Sequence, residues 1–186
     1  MIGRFRNDGW QGSELLAFSY DANLSNATTA ATIAQRVTDL KAATGASQVA
    51  IVTHSMGTLS ARYYVRNLSG GGNVSAIISL AGANHGTNTA YFCLSAVSCQ
   101  EMIPGSAFLT ALNSEDETWG APRYATWWSP CDEVINPRSS TSLAGATNTQ
   151  TVCMSHSQLH QDAQVYAQVR DAIKLSAASA FIASAR

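Results

Sequence analysis

The sequence predicts an α/β fold in which a mostly parallel sheet carries helices on both faces. Two short β-branched runs, residues 49–52 and 74–80, have the composition of strands that are buried in a parallel sheet. Apolar residues recur at helical spacing between such runs, as in residues 28–44. Strands and helices therefore alternate along the chain, which is the pattern of a parallel sheet covered on both sides.

The predicted elements fill one domain. Each predicted strand is a short apolar run, and each predicted helix has an apolar stripe. Because 186 residues are enough for one core and few for two domains, we expect a single domain over residues 1–186. Strands are expected at residues 14–20, 49–52, 74–80, 123–128 and 150–154, and helices at residues 1–7, 28–44, 56–67, 106–112 and 158–176.

The composition narrows the classes of partner. Charged residues make up 12% of the chain and hydrophobic residues 46%, and the formal net charge is -1. The sequence has no cluster of Lys and Arg, so we expect no binding of nucleic acid or of anionic membrane surfaces. No apolar run reaches the roughly 18 residues of a transmembrane segment. Neutral substrates fit this composition best.

The four cysteines indicate an oxidising compartment. An even number of cysteines without CxxC spacing favours two disulfides over a metal site. Of the three possible pairings we expect Cys93 with Cys99 and Cys131 with Cys153, and reduced, buried thiols are the alternative. The cysteines favour export, whereas the first residues, MIGRFRNDGW, lack the basic and then apolar order of a signal peptide.

A candidate nucleophile lies at a sharp turn from strand to helix. The strand at residues 49–52 leads into the motif THSMG at residues 53–57, and a helix follows at once. A serine in such a turn is exposed at the carboxyl edge of the sheet. In the pattern G-x-S-x-G, Gly57 fits and Thr53 departs from the first glycine. We therefore expect Ser55 to be the nucleophile, and an ordinary turn capped by serine is the alternative.

A serine nucleophile needs a histidine as base and a carboxylate that orients the histidine. The acid and then the histidine are expected on loops that follow later strands. Asp132 follows the predicted strand at residues 123–128, and His156 follows the one at residues 150–154. These two residues are the expected acid and base. The second expected disulfide would tie together the loops that carry them.

Other residues compete for these two roles. His160 lies within the predicted last helix, where an exposed histidine is ordinary. His54 is expected to point elsewhere on the turn and to pack or bond locally. His85 precedes the acid, which breaks the expected order, and Glu133 is the nearest rival acid.

Several stretches of the chain resemble those of small secreted bacterial lipases of the α/β-hydrolase fold, the actinobacterial and Bacillus type, or class 2 lipases. Together they cover nearly the whole chain. The resemblance implies hydrolysis of carboxylic esters and glycerides with no cofactor and no metal, and a triad of Ser55, Asp132 and His156. The stretches are IVTHSMGTLSARYYVRNL, SLAGANHGT, PGSAFLTALN, YATWWSPCDEVINP, CMSHSQLHQD and VYAQVRDAI.

One departure from the family concerns the oxyanion donors. Members of the family begin with a buried strand that ends in a His-Gly segment, whose backbone N–H is one of two donors. The N–H of Met56 is the other expected donor, and residues 1–7 match the helix that follows that segment. We therefore expect an α/β-hydrolase that lacks its usual N-terminal strand, as in an N-terminally truncated chain.

The sequence as a whole predicts a serine carboxylic-ester hydrolase, a lipase or esterase that works through an acyl-enzyme. Asn84 and His85 are expected in the wall of the substrate pocket. Acyl transfer to an alcohol, hydrolysis of a thioester or amide, and a non-catalytic relict of such an enzyme are the alternatives. We expect a secreted monomer that acts on an ester or lipid, including at a lipid–water interface.

Overall fold

The computed structural model describes residues 1–184, and it describes side chains as far as Ser176. A single sheet contains four strands in chain order within this range, and each is parallel to its neighbours. This arrangement confirms the predicted α/β class with a parallel sheet. The strands are β1 (Val49–His54), β2 (Val74–Leu80), β3 (Arg123–Trp128) and β4 (Thr147–Gln150).

The longer helices lie before β1, between β1 and β2, and after β4. Helix α2 illustrates how the sequence sets a helix's ends: Oγ of Ser25 accepts the N–H of Ala27 at its start, and Gly45 ends it with a φ of 72°. The α-helices are α1 (Ile2–Asn7), α2 (Asn26–Thr44), α3 (Gly57–Asn67), α4 (Val97–Glu101), α5 (Ala107–Asn113), α6 (His156–Leu159) and α7 (Ala163–Ser184).

The helices bury both faces of the sheet. One cluster of buried side chains includes Val37 of α2 and Val65 of α3, and the other includes Phe5 of α1 and Val169 of α7. Neighbouring residues of β2 belong to opposite clusters, Ile77 to the first and Ile78 to the second. This alternation follows from the geometry of a strand, whose successive side chains point to opposite faces.

The register brings the carboxyl ends of the strands to one edge of the sheet. His54 of β1 pairs with Leu80 of β2, and Leu80 pairs with Trp127 of β3. Beyond the ladder, the N–H of Ser55 donates to the carbonyl oxygen of Leu80 at 2.9 Å. The loops that follow β1, β2 and β3 therefore begin side by side.

The prediction of a strand at residues 14–20 is wrong for this structure. Glu14 ends a 3₁₀ turn that begins at Gly12, and Leu15 then has extended backbone with φ -121° and ψ 115°. Extended backbone becomes a strand only when its N–H and C=O groups find a partner strand. Within residues 1–184 no strand pairs with this segment.

The last strand lies earlier than predicted. β4 spans Thr147–Gln150 rather than residues 150–154. After β4, the N–H of Thr151 still donates to the carbonyl oxygen of Trp128 at 2.9 Å. Met154, in contrast, bonds to a side chain: Oγ of Ser129 donates to its carbonyl oxygen at 2.6 Å and accepts its N–H at 2.9 Å. These bonds hold the segment that leads to His156 against the loop after β3.

The predicted helix at residues 158–176 corresponds to two helices, α6 and α7. Asp162 separates them, because its Oδ1 accepts the N–H groups of Gln164 and Val165 at 2.8 and 2.9 Å. An aspartate with these bonds caps the start of a new helix. Among the described residues no helix has the length and apolar character needed to cross a bilayer.

An apolar groove lies beside β1. Among residues 1–184, β1 pairs only with β2, so its other edge has no strand partner. The groove has a volume of about 700 Å³ and is lined by β1, by residues 15–18 and by side chains of α2. His54 and His160 also line it. The extended segment that lacks a partner and the free edge of β1 thus border the same space.

Both predicted disulfides are present. Cys93 is bonded to Cys99, and Cys131 is bonded to Cys153. The second bond joins the loop after β3 to the segment after β4. Two disulfides are compatible with an oxidising, extracellular environment.

Candidate active site

Ser55 occupies a strained turn between β1 and α3. Its φ is 56°, in the left-handed region that is unfavourable for residues other than glycine. Besides the bond from its N–H to Leu80, its carbonyl oxygen accepts the N–H of Thr58 at 3.2 Å. Strain of this kind is what a nucleophilic serine on a strand-to-helix turn is expected to have.

The side chains around the turn explain where small residues are needed. A Cβ added to Gly57 would lie 3.3 Å from Oη of Tyr20 and 3.9 Å from Cβ of Thr53. The hydroxyl of Thr53 donates to the carbonyl oxygen of Ile78 at 2.9 Å and lies 2.8 Å from the hydroxyl of Thr58. Threonine at the first position of the motif is therefore accommodated, because its polar atom is hydrogen-bonded inside the turn.

The residue after the serine leads directly into α3. Met56 has helical backbone angles, φ -52° and ψ -33°, and precedes the first helical residue, Gly57. The N–H groups at the start of a helix have no acceptor within it and carry a partial positive charge. The N–H of Met56 therefore remains the expected donor to an oxyanion at Ser55.

The structure brings the predicted acid and base into contact. Nδ1 of His156 lies 2.8 Å from Oδ2 and 3.1 Å from Oδ1 of Asp132. The two residues are buried, with 8% of His156 and 3% of Asp132 exposed. Oδ1 of Asp132 also accepts the N–H groups of Val134 and Ile135, at 2.8 and 2.9 Å. A proton on Nδ1 is thereby held by the carboxylate, which leaves Nε2 to exchange a proton with a substrate.

Hydrogen bonding keeps Asp132 ionised. Burial opposes the charge, but the bonds from the His156 side chain and from the N–H groups of Ile135 and Val134 outweigh burial. Together they lower the pKa of Asp132 below its ordinary value of 3.8. An ionised carboxylate can stabilise the imidazolium that forms when His156 takes up a proton.

The rival acid makes a different contact. Oε2 of Glu133 accepts the backbone N–H of His156 at 3.0 Å. Glu133 therefore contacts the main chain of the histidine, whereas Asp132 contacts its ring. The disulfide at the neighbouring Cys131 joins this loop to Cys153, three residues before His156.

The rival histidines have other surroundings. Nδ1 of His160 is buried and has no hydrogen-bond partner within the described residues, and burial lowers the pKa of His160. Nε2 of His85 lies 2.7 Å from Oε1 of Glu117, so His85 is paired with a different carboxylate. Of the four histidines, only His156 contacts Asp132 among the contacts of the described residues.

His54 contacts the site in a way that sequence reasoning missed. The expectation is that it packs or bonds locally, and its hydrogen bond is not local, because Nε2 of His54 lies 3.0 Å from the carbonyl oxygen of His156. The ring centroids of His54 and His156 are 4.5 Å apart. The ring of His54 also contacts that of His160, with the centroids 4.4 Å apart. The motif alone gave no signal for this contact, which spans 102 residues.

Asn84 and His85 lie on the loop after β2. Asn84 is fully buried, its Nδ2 donates to the carbonyl oxygen of Thr141 at 2.7 Å, and its Oδ1 accepts from Arg62 at 3.4 Å. His85 is half-buried beside Glu117. These contacts tie loops together, and the part of either residue in a substrate pocket stays a prediction. Within the described residues no group of three or more His, Cys, Asp or Glu side chains is placed to bind a metal ion.

The fold and the site together define a class of protein. A parallel sheet, a strained serine turn at its carboxyl edge and a buried His–Asp pair on later loops are the features of an α/β-hydrolase. The chain belongs to the class 2 lipase family, which matches residues 1–176. The family assigns the chain to the lipolytic hydrolases.

Solved structures share this fold. The mature lipase BlEst2 of Bacillus licheniformis is 14% identical with a TM-score of 0.64, and the match covers 73% of this chain and 69% of BlEst2. Lipase B of Aspergillus fumigatus is 18% identical with a TM-score of 0.58, over 70% of this chain and 34% of that one. A structure from a study of carboxylesterases of Nitrososphaera gargenis is 10% identical with a TM-score of 0.58, and the match covers 96% of this chain and 85% of that one. At these identities the likeness concerns the fold alone.

Proposed function

We propose that the protein hydrolyses carboxylic esters through a triad of Ser55, His156 and Asp132. The observation that carries the proposal is the buried contact of 2.8 Å between Nδ1 of His156 and Oδ2 of Asp132. Their loops follow strands whose carboxyl ends share an edge with the strained turn at Ser55. Membership of a lipase family supports the same chemistry.

In the proposed reaction, Oγ of Ser55 attacks the ester carbonyl while Nε2 of His156 takes the hydroxyl proton. The resulting imidazolium is stabilised by the carboxylate of Asp132. His156 then protonates the leaving alcohol, and an acyl-enzyme is left on Ser55. Water, activated by the same histidine, repeats the sequence and frees the carboxylic acid.

The tetrahedral oxyanion needs N–H donors in this mechanism. The N–H of Met56 is one, because it lies at the start of α3. The family resemblance implies that the second comes from a strand ending in His-Gly. The free edge of β1 and the groove of about 700 Å³ beside it leave room for such a strand next to Ser55.

The substrate we propose is a neutral ester, in the form of a glyceride or a simpler carboxylic ester. The low content of charged residues, 12%, supports a neutral substrate over a charged one. The two disulfides support secretion. We propose a monomer that meets such esters in solution or at a lipid–water interface.

Hydrolysis of p-nitrophenyl butyrate and p-nitrophenyl decanoate tests the proposal. We expect turnover by the wild-type chain that Ser55→Ala abolishes. Asp132→Asn should lower kcat by about 10⁴-fold, since the histidine then loses its correct tautomer. The matched change Glu133→Gln should cost less than about 10-fold, because the amide oxygen still accepts the N–H of His156.

Three outcomes would contradict the proposal. Turnover that survives Ser55→Ala would place the nucleophile elsewhere. A larger loss in Glu133→Gln than in Asp132→Asn would reassign the acid. Full activity in His156→Ala together with loss in His160→Ala would reassign the base.

A further inference from the structure

The main chain of His156 is held at both of its polar groups. Its N–H donates to Oε2 of Glu133 at 3.0 Å, and its carbonyl oxygen lies 3.0 Å from Nε2 of His54. These contacts are separate from the one between the ring and Asp132. His156 is therefore fixed at three points, two of them on its backbone.

The contact with His54 requires a particular form of that side chain. A carbonyl oxygen only accepts, so Nε2 of His54 must carry the proton and donate it. Burial lowers the pKa of His54 to about 4, so the ring is neutral at neutral pH. A neutral ring in this tautomer donates to His156 without placing a second positive charge beside the imidazolium of the mechanism.

Because of the position of His54 in the chain, its hydrogen bond to His156 also links His156 to the neighbourhood of Ser55. His54 is the last residue of β1 and is covalently joined to Ser55. His156 is the first residue of the short helix α6, which follows the irregular segment after β4. A bond between them therefore sets the position of the histidine relative to the serine.

We propose that His54 is a positioning residue, which places His156 relative to Ser55 by donating a hydrogen bond from Nε2 to the carbonyl oxygen of His156. This inference rests on the proposed function for its catalytic consequence. The contact itself does not depend on that function.

Two substitutions separate the hydrogen bond from the packing of the ring. His54→Phe keeps an aromatic ring against His156 and removes the donor, whereas His54→Gln has an amide N–H at the place of Nε2. His160→Phe is the matched control, because the ring of His160 packs on that of His54 at 4.4 Å, whereas the contact with the carbonyl oxygen of His156 is made by His54.

Ester hydrolysis provides the first readout. We expect His54→Phe to lower kcat about 10- to 100-fold with little change in KM, since a small misplacement of a catalytic group has an effect of this size. His54→Gln should recover most of the loss, and His160→Phe should retain the wild-type kcat. Equal kcat values for wild type and His54→Phe would overturn the inference and leave the proposed function in place.

The NMR signal of the Nδ1 proton of His156 provides a readout that needs no turnover. In the folded wild type this proton, held by Asp132, should give a far-downfield resonance. We expect exchange broadening of this resonance in His54→Phe and its retention in His54→Gln and His160→Phe. An unchanged resonance in His54→Phe would overturn the inference even if no ester is hydrolysed. Should His54→Phe fail to fold, His54→Asn replaces it, because its shorter amide cannot reach the carbonyl oxygen.

Discussion

At the scale of residues, different side chains contact the different polar groups of His156. Asp132 and Glu133 are adjacent in the chain, yet one carboxylate holds the ring of His156 and the other holds its N–H. His54 completes the set at the carbonyl oxygen. The N–H, the carbonyl oxygen and Nδ1 of His156 each contact another side chain, and Nε2 is the atom left for the proposed proton transfer.

The buried, neutral His54 predicts how stability depends on pH. The pKa of His54 is about 4 in the folded protein and has its ordinary value of 6.5 when the chain is unfolded. Between these values the unfolded chain binds the additional proton, so the free energy of unfolding falls as the pH is lowered from about 6.5 to about 4. At pH 4.5 we expect this group to account for a loss of about 2 kcal/mol relative to pH 7.5.

Urea unfolding of the wild type and His54→Gln at both pH values measures this loss. Glutamine does not titrate, so the variant should lose about 2 kcal/mol less on acidification than the wild type. The other groups that face His54 are His156, His160 and Asp132, and both proteins contain them. The same acid sensitivity in both proteins would contradict the prediction.

Part of the site could be predicted at this scale, and part could not. Asp132 and His156 could be chosen from the order of elements, because each follows a predicted strand in the sequence, although β4 ends at Gln150 and His156 begins α6. The bond from His54 could not be predicted, since it depends on the direction of a side chain on the turn. Neither hydrophobic pattern nor spacing determines that direction.

At the scale of elements, the loops that carry the acid and the base are cross-linked. The disulfide between Cys131 and Cys153 closes a loop of 22 residues, and Oγ of Ser129 binds both the N–H and the carbonyl oxygen of Met154 beside it. Two different kinds of bond therefore hold the segment before His156 to the loop after β3.

Removal of this disulfide should affect both stability and activity. In Cys131→Ala/Cys153→Ala we expect the free energy of unfolding to fall by about 3 kcal/mol from the loop entropy of the unfolded chain. We expect kcat to fall about 10-fold because the acid and base loops become less well aligned. Chemical denaturation and ester hydrolysis measure the two effects.

The second disulfide gives the matched control. Cys93→Ala/Cys99→Ala opens a loop of only 6 residues, and neither cysteine lies on the segments that carry the acid and the base, so stability should fall by about 2 kcal/mol while kcat is retained. If both double variants lost the same fraction of kcat, the disulfide at Cys131 would have no special role in alignment.

The sequence predicts elements where local pattern and tertiary pairing agree. The bounds of β2 and β3 follow from their apolar runs, whereas α2 begins at Asn26, two residues before its predicted start, because Oγ of Ser25 caps it. Residues 14–20 have the pattern of a strand without a partner among the described residues, and pattern alone cannot reveal whether a partner is there. The break between α6 and α7 depends on the cap at Asp162, which apolar periodicity does not register.

At the scale of the whole molecule, helices cover both faces of the sheet, while within residues 1–184 the outer edge of β1 has no strand partner. β1 carries Ser55 at its end, and its outer edge borders the groove of about 700 Å³. Unpaired N–H and C=O groups on such an edge are ready to pair with another extended segment. The open edge therefore lies in the region where the second oxyanion donor implied by the family resemblance would belong.

A strand supplied at this edge should raise both stability and activity. We expect an apolar strand ending in His-Gly, fused ahead of Met1 through a Gly/Ser linker, to pair with β1 and provide a backbone donor. Ser55-dependent kcat should rise about 10²- to 10³-fold, which is the effect on kcat of a single oxyanion donor. Ester hydrolysis and thermal unfolding measure the change.

A fused strand with prolines at alternate positions is the control, because proline cannot donate to a ladder. It should leave kcat and the midpoint of unfolding at the values of the original chain. Equal gains from both fusions would show that strand pairing with β1 is not their cause.

His54 belongs to two surfaces at once, since its ring lines the groove and its Nε2 binds the main chain of His156. A molecule can bind the groove more tightly when the ring of His54 is in one position than in another. Its binding then changes the fraction of the protein in which His156 is aligned with Ser55. Thermodynamic reciprocity then requires that a covalent inhibitor on Ser55, which favours the aligned state, change the affinity of the groove by the same factor. Under the proposed function, a ligand of the groove is therefore expected to change the rate of ester hydrolysis.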